Sequence, residues 1–186
     1  MNFKNNFLVS LPSMGNNNSF NKSLIYIDSH NGDGAHGWIV NKQLEDDVAS
    51  KLRRGMKLNR NIPIYYGGPV DINSAVVIHS KDMNIPSTKP LNDTLNITRD
   101  KSIINILNMG QFPEYFRIIV GCSAWGPTQL ETEILGTRTQ GVSSWSTAPY
   151  TDDLMWNTMP NDQWSSGITH AANALTNTVL AHTFMD

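Results

Sequence analysis

Short apolar runs bounded by turn residues dominate the first two thirds of the chain. Runs rich in β-branched and aromatic residues predict strands, and they lie at residues 7–9, 24–27, 37–40, 64–66, 75–79, 95–97 and 116–120. The dipeptides Asn31-Gly32 and Asp33-Gly34 predict a turn between the second and third runs. Residues 24–40 are therefore predicted to form an antiparallel hairpin with a long connection.

Helical periodicity lies between and after these runs. Leu44, Val48 and Leu52 recur at the i, i+4, i+8 spacing of one narrow apolar stripe, and Gly55 is placed to end that helix. Further helices are predicted later in the chain, one of them with Pro127 as its first residue. Strands with helices at irregular intervals, together with an early hairpin, predict an α+β fold with a mixed or antiparallel sheet.

One domain accounts for the whole chain. The 186 residues are 39% apolar and 16% charged, which suits a single globular domain over residues 1–186. The net charge of −2 gives no reason to expect a polyanionic partner. Asn is abundant, with 21 residues, and we attribute this to codon bias in an AT-rich genome, such as that of a phage or a reduced bacterium.

The cysteine count and the hydropathy pattern limit the function classes. Cys122 is the only cysteine, which excludes an intrachain disulfide and a multi-cysteine zinc site. No run approaches the roughly 18 apolar residues of a membrane span, and the first residues lack a basic segment followed by an apolar core. We therefore expect a cytoplasmic protein without membrane contact.

Four sequence blocks, in order, carry a resemblance to a known family. They are FLVSLPSM at 7–14, LIYIDSH with GAHGWIVNK between 24 and 42, GGPV at 67–70, and GCSAWGPTQLETEI at 121–134. Their order and spacing, with Trp145 and Trp164 after them, resemble the YqgE/AlgH family of bacterial proteins. The resemblance covers nearly the whole chain.

The resemblance implies a bifurcated, partly barrel-like β-sheet surrounded by helices. It implies no established enzyme activity, and some members are linked to transcriptional control. The chain departs from the family pattern: the family usually has an acidic residue at Ser29, Arg-Gly-Phe at residues 73–75, a small residue near Thr128 and an aromatic residue near Cys122. Partner contacts that other members make through those positions are not carried over.

The hairpin loop carries the residue types of a metal or ligand site. His30 and His36, with Asp28 and Asp33, have side chains that bind zinc and similar ions. Their spacing matches no metal motif, and a turn in which polar side chains bond the nearby backbone is the favoured interpretation. We predict no metal and no cofactor, and keep His30 and His36 as candidate ligand residues.

Two glycine-containing turns complete the candidate ligand site. Gly67 and Gly68 allow a ligand to approach the backbone closely, and the competing interpretation is a turn that ends a strand. They lack the Gly-x-x-x-x-Gly-Lys spacing of a phosphate-binding loop. The second turn precedes a predicted helix whose free N–H groups can bind an anion. Its candidate ligand residues are Trp125, Gly126, Thr128 and Gln129.

No catalytic residue is predicted. Residues 121–125 resemble the nucleophile elbow Gly-x-Ser-x-Gly around Ser123, but Trp125 takes the position of the last glycine. That glycine is needed where strand and helix cross tightly. A hydrolase centred on Ser123 is therefore disfavoured.

One basic cluster is the candidate surface for nucleic acid. Five of the 14 basic residues lie between residues 51 and 60, with Arg53, Arg54 and Lys57 at the centre. Pro63 and a strand follow where a helix-turn-helix motif needs its second helix. A solvated helix end is the favoured interpretation, and we do not expect direct DNA binding.

Two functional hypotheses follow. The first is a non-enzymatic binding or regulatory protein that acts through a protein partner or a small ligand, because residue spacing assembles no nucleophile–base pair, metal site or phosphate-binding loop. The resemblance adds the role of a transcriptional regulator. The alternative is an enzyme or small-ligand-binding protein whose site lies where the His30–His36 loop, the Gly67-Gly68 turn and the Trp125–Gln129 turn meet. The oligomeric state is left open.

Overall fold

The computed structural model describes residues 1–137 and 140–183, and the strands of this part of the chain form one sheet. The strands are β1 (Asn6–Ser10), β2 (Leu24–Asn31), β3 (Gly34–Ile39), β4 (Ile64–Tyr66), β5 (Val70–Ser80), β6 (Thr88–Pro90), β7 (Leu95–Thr98), β8 (Phe116–Trp125) and β9 (Trp145–Pro149). The helices are α1 (Asp46–Met56), α2 (Ser102–Asn108), α3 (Gln129–Leu135) and α4 (Pro160–Thr183), with a 3₁₀ turn at Pro12–Met14 and a π-helical turn at Asp153–Asn157.

The sheet forks along β8. Its order is β6-β7-β5-β8-β3-β2-β1-β9, and neighbours in this order are antiparallel. β5 occupies one edge of β8. On the other edge, residues 118–120 pair in parallel with β4, and residues 123–125 pair with β3. One edge of β8 thus serves two strands in succession, which makes the sheet mixed and bifurcated.

Gly121 lies at the fork and breaks the alternation of β8. Its φ of +77° is in the left-handed region. Ile119 and Cys122, three residues apart, pack in the same apolar cluster, whereas a regular strand places residues two apart on one face. The bulge therefore separates the part of β8 that pairs with β4 from the part that pairs with β3.

Apolar side chains cover both faces of the sheet. On one face, Tyr26 and Trp38 are buried in a cluster that includes part of α4. On the opposite face, Ile25 packs with Leu130 of α3, while α1 and α2 cover a third cluster around Ile118. Burying one such side chain contributes about 1.5–3 kcal/mol. This arrangement of a curled mixed sheet with helices around it confirms the predicted α+β fold.

The long helix α4 is fastened to the sheet by hydrogen bonds. The Trp164 indole N–H donates to the Ser10 carbonyl at 2.8 Å. The Gln163 amide donates to the carbonyls of Leu154 and Met155 at 2.6 Å and 2.9 Å, which fixes the preceding π-helical turn. Among the described residues, no helix combines the length and the apolar character that crossing a bilayer requires.

The hairpin at residues 24–40 is confirmed, but its predicted long connection is wrong. β2 continues to Asn31 and β3 begins at Gly34, so only Gly32 and Asp33 form the loop. The Asn31 side chain fixes this turn because its Oδ1 accepts the Asp33 N–H at 2.8 Å. The polar residues 28–31 follow the apolar run and obscure the end of β2 in the sequence.

α1 is ended two residues later than predicted, by Lys57 and not by Gly55. The helix continues through Gly55 to Met56, and Lys57 ends it in a left-handed conformation with a φ of 58°. Ala49 is the buried residue of α1, whereas Val48, placed by the pattern on the apolar stripe, is exposed. The apolar pattern therefore predicted the position of the helix correctly but not which of its faces is buried.

A buried histidine on β5 predicts a loss of stability in mild acid. His79 is fully buried; its ring nitrogens lie 2.9 Å from the Ser80 carbonyl and 3.0 Å from Thr98 Oγ1. Burial is the main cause that lowers the pKa of His79 in the folded protein. On acidification, the unfolded chain therefore binds a proton at this position before the folded protein does. The stabilisation that depends on neutral His79 should be fully present above a pH of about 6.5. Below that pH the free energy of unfolding should fall, by at most about 1.4 kcal/mol per pH unit.

Urea unfolding at a series of pH values, in the wild type and in His79→Gln, measures this contribution. The variant should be less stable at neutral pH and should lose less stability than the wild type on acidification. Parallel pH profiles in the two proteins would show that His79 does not carry the effect.

Candidate functional site

The turn after β8 is longer than the sequence predicts, because α3 begins later than expected. β8 runs to Trp125, and α3 begins only at Gln129, so the prediction that Pro127 opens the helix is wrong. Thr128 has a φ of 60° and interrupts the helical path. The Gly126 N–H donates to Gln129 Oε1 at 3.1 Å. This amide, which the sequence leaves free for an anion, is therefore already bonded.

Trp125 and Gln129 belong to a network centred on Glu133. Glu133 Oε2 accepts the indole N–H groups of Trp125 and Trp145 at 3.0 Å and 2.8 Å. Glu133 Oε1 accepts the Gln129 side-chain amide at 2.9 Å. Both indoles are buried, and buried donors need such partners. The network joins α3 to β8 and β9.

Gly67 and Gly68 lie against the backbone of β8. A Cβ on Gly67 would lie 2.3 Å from the Gly121 carbonyl oxygen, and a Cβ on Gly68 would lie 2.3 Å from that of Cys122. The Ser123 hydroxyl is fully buried and donates to the Gly67 carbonyl at 3.0 Å. Close packing at the fork thus accounts for both glycines and occupies the only hydroxyl that resembled a nucleophile.

The two candidate histidines are on opposite faces of the hairpin. His30 packs toward α3: its Nδ1 accepts the Phe3 N–H at 3.1 Å, and its Nε2–H donates to Glu131 at 3.0 Å. Only 3% of its side chain is exposed. Both ring nitrogens are therefore used, and they hold the N-terminal segment against α3.

His36 has one ring nitrogen bound and one open. Its Nδ1 lies 2.6 Å from Asp28 Oδ1, and 30% of its side chain is exposed. Within residues 1–137 and 140–183, Nε2 of His36 has no hydrogen-bond partner. A carboxylate on Nδ1 fixes the tautomer in which Nε2 can accept a proton. In the same part of the chain, no three potential metal-binding side chains come together.

Two side chains contact the Trp38 indole: His36, a candidate ligand residue from the sequence, and Arg99, which the sequence did not indicate. His36 contacts its edge, with ring centroids 4.8 Å apart, and Arg99 Cζ lies 5.3 Å from its centroid. Arg99 also lines a cavity of about 340 Å³, which we call the Arg99 cavity. The other residues that line the Arg99 cavity are Ser87, Lys89, Ile97 and Asp100.

Cys122 adds a buried thiol to this face. It packs in the same cluster as Trp38. Burial is the main cause that raises the pKa of its thiol; Asp71 and Asp28 add to the rise, and Arg99 opposes it. A thiol with a raised pKa stays protonated at neutral pH and is a poor nucleophile.

The basic cluster of α1 is divided by its own contacts. Arg53 Nη1 donates to the Ile62 carbonyl at 3.1 Å, and Nη2 lies 3.8 Å from Asp46 Oδ1. Arg53 therefore fastens the loop that follows the helix. Arg54 and Lys57 are exposed. Arg53 is thus engaged within the fold, and the expectation that the protein does not bind DNA directly stays a prediction.

The family of the chain follows from a comparison with protein-family models. The sequence profile of the AlgH-like family matches residues 7–175. The chain belongs to the AlgH-like family. It is 34% identical over 169 residues to a UPF0301 protein of Methylococcus capsulatus, covering 89% of each chain. It is 30% identical over 177 residues to a UPF0301 protein of Vibrio cholerae, covering 90% of this chain and 91% of that protein.

Solved structures of AlgH-like architecture agree with this assignment. The solution structure of AlgH from Pseudomonas aeruginosa superimposes with a TM-score of 0.72 at 25% identity, over 91% of this chain and 89% of that one. A crystal structure from Corynebacterium diphtheriae has a TM-score of 0.65 at 20% identity, over 87% of this chain and 83% of that one. The AlgH-like fold suggested by the four sequence blocks is thus confirmed.

The three predicted loops do meet around β8, but their side chains do not form one site. Ala35 and His36 pair with Trp125 and Ala124, and the Gly67-Gly68 turn packs at the fork. Sequence reasoning missed Arg99 because a charged residue just after a strand is normally solvated. The available signal was its position two residues after Ile97, which places both on the same face.

Proposed function

We propose that this AlgH-like protein is a non-enzymatic binding protein with a regulatory role, and that it takes a small phosphate-bearing ligand at the Arg99 cavity. One observation carries the proposal: Arg99 and Lys89 line the same concave space. Arg99 also contacts the Trp38 indole, as does His36, whose second ring nitrogen is open. The resemblance to members linked to transcriptional control supports the regulatory role, exerted through a protein partner.

The charges around the cavity favour a multiply charged anion. Among the described residues, neither Arg99 nor Lys89 forms an ion pair. Asp100 also lines the cavity, but its Oδ1 accepts the Ser102 N–H at 2.7 Å at the start of α2. The cavity is therefore lined by two cations and one carboxylate, and that carboxylate is already hydrogen-bonded to the backbone of α2. Arg and Lys together are the usual protein ligands of phosphate.

A non-enzymatic role is supported by the state of the nucleophile candidates. The Ser123 hydroxyl is buried and bonded to the Gly67 carbonyl, and the Cys122 thiol is held in its protonated form. Neither meets the requirement of catalysis that a nucleophile be deprotonated and accessible.

Titration with inorganic phosphate, followed by amide and indole NMR, tests the proposal. We expect saturable shifts at residues 87–100 and at the Trp38 indole. Arg99→Gln should weaken phosphate binding at least tenfold, because it removes the positive charge and the two parallel N–H donors of the guanidinium. Arg54→Gln is the matched control, since it removes an exposed arginine outside the cavity and should leave the affinity unchanged.

Equal affinity in the wild type and Arg99→Gln, or shifts spread over many basic residues, would contradict this binding site. The regulatory part is tested by capturing partners from host lysate. A partner retained by the wild type in a phosphate-dependent way, and lost by Arg99→Gln, links the two parts of the proposal. A partner bound equally by both proteins separates them.

The Asp28–His36 pair favours a second candidate, an enzyme that uses His36 as general base. A carboxylate on one imidazole nitrogen and an open second nitrogen is the arrangement of a general base, which typically accelerates proton transfer by about 100-fold or more. Hydrolysis of p-nitrophenyl phosphate by the wild type, lost in His36→Gln while phosphate still binds, would favour this candidate over the binding protein.

A further inference from the structure

A second cavity lies between the start of β8 and the start of α4. Its volume is about 310 Å³, which is at the lower end for small-molecule sites. We call it the Arg117 cavity. It is formed by Tyr65 of β4, residues 114–117 and residues 156–160, and shares no lining residue with the Arg99 cavity.

Arg117 is a buried cation in this cavity. Only 6% of the residue is exposed. Its Nη1 donates to the Val40 carbonyl at 2.6 Å. Its guanidinium carbon lies 4.9 Å from the Tyr65 ring centroid and 5.5 Å from that of Trp156. Two aromatic faces and one carbonyl thus hold the guanidinium in place.

The charge of Arg117 is not neutralised by a carboxylate in the part of the chain that the structure describes. The ion pairs there involve other residues. Burial is the main cause that lowers the pKa of Arg117, and Tyr65 opposes it, but a guanidinium stays protonated in proteins. Buried charges are normally paired, so a buried arginine lining a cavity points to an anion that enters from outside.

The start of α4 adds to the positive potential. α4 has 24 residues and begins at Pro160, which lines the cavity together with the three residues before it. The positive end of the helix dipole therefore faces the same space as Arg117. The helix start and the buried guanidinium are separate features of the chain, and both favour a negative group.

The remaining walls define the rest of the ligand. Tyr115 stacks on Trp156, with ring centroids 5.8 Å apart, and Met159 is a further apolar lining residue. Glu114 lines the cavity and Asp162 is in the first turn of α4, and both are exposed. Their negative charges disfavour a dianion, whereas the aromatic walls favour an apolar body.

We propose that the Arg117 cavity binds a small monocarboxylate with an apolar or aromatic body. The carboxylate pairs with the guanidinium of Arg117 at the start of α4, and the body of the ligand lies along Tyr115 and Trp156. This site is independent of the phosphate site proposed at Arg99.

Benzoate is the probe for this site, and benzamide is its uncharged counterpart of the same shape. In a titration followed by amide and indole NMR, benzoate should give saturable shifts at the Trp156 indole and at residues 114–117 and 157–159. A Kd of about 1 mM or below is expected for so small a ligand. Benzamide should bind at least tenfold more weakly, because it lacks the charge.

Three variants separate the anion site from a simple apolar cleft. Arg117→Gln should weaken benzoate binding at least tenfold. Tyr115→Glu keeps the buried core intact and should weaken it severalfold through repulsion, whereas Tyr115→Gln should do so much less; this pair decides the matter even if Arg117→Gln does not fold. Arg99→Gln should have no effect.

Equal binding of benzoate and benzamide would overturn the proposal, because the cavity would then recognise only the apolar ring. Benzoate shifts confined to Trp38 and residues 87–100 would also overturn it, because they would place the carboxylate at Arg99. An absence of saturable shifts around Trp156 would have the same consequence.

Discussion

Replacing Gly68 by alanine is expected to destabilise the fold severely. A Cβ at this position would lie 2.3 Å from the Cys122 carbonyl oxygen and 2.4 Å from Ser123 Oγ, and the φ of +142° is itself unfavourable for a side chain. Gly68 and β8 cannot move apart easily, because the adjacent Gly67 is hydrogen-bonded to both neighbouring strands. Its N–H donates to the Val120 carbonyl of β8, and its carbonyl accepts the Ile39 N–H of β3. We expect a loss of more than about 4 kcal/mol, seen in urea unfolding and as a large fall in Tm.

Two other glycines provide matched controls for Gly68→Ala. Gly32→Ala has open space around its Cβ and no left-handed φ, so its stability should change by less than about 0.5 kcal/mol. Gly15→Ala has open space but a φ of +75°, so it should lose about 1–2 kcal/mol from backbone strain alone. A Gly68→Ala protein as stable as Gly15→Ala would show that the fork can relax around a methyl group.

Replacing Glu133 by alanine is expected to cost about 2–5 kcal/mol, because it leaves two buried indole N–H groups without an acceptor. Trp125 and Trp145 donate to the same carboxylate oxygen, and they also pack edge to face at 6.0 Å. Glu133→Gln keeps one amide oxygen as acceptor and should lose roughly half as much. Urea unfolding followed by tryptophan fluorescence measures both variants.

A double-mutant cycle shows whether the loss of stability in Glu133→Ala comes from the hydrogen bond to the Trp145 indole. Trp145→Phe removes one of the two donors, so Glu133→Ala should cost less in that background than in the wild type, by about 1 kcal/mol or more. Glu45→Ala, an exposed carboxylate without a side-chain bond at the start of α1, is the neutral control. Additive losses in the cycle would mean that Glu133 acts through helix α3 and not through the indoles.

The sequence located most elements because their patterns are local. The apolar runs marked β1, β2, β4, β7 and the first half of β8, since alternation and β-branched composition are properties of neighbouring residues. The same local rules misplaced element ends. Lys57 ends α1 although Gly55 looks like the natural terminator, and α3 begins at Gln129 because Thr128 takes a left-handed conformation. Those conformations depend on contacts outside the segment.

The candidate site could be predicted only in part. Bringing the hairpin, the Gly67-Gly68 turn and the Trp125–Gln129 turn together around β8 was within reach of the family resemblance. The separation of His30 from His36 was not, because the bulge between Ile27 and Ser29 and the pairing with β3 decide which face each side chain takes. Arg99 and Arg117 were missed because an arginine in a strand or just after it looks the same in sequence whether it is solvated or buried against an indole.

The amino-acid sequence by itself determined the family, the α+β class and the approximate positions of the strands, because these depend on composition, periodicity and block order along the chain. The tertiary structure decided which polar groups are occupied and which are open. His30, Ser123 and Gly126 are bonded within the fold, whereas His36 is partly exposed and Arg99 and Arg117 line cavities. The reason is physical: the partners of these groups lie on strands and helices remote in sequence, and only folding brings them within hydrogen-bonding distance.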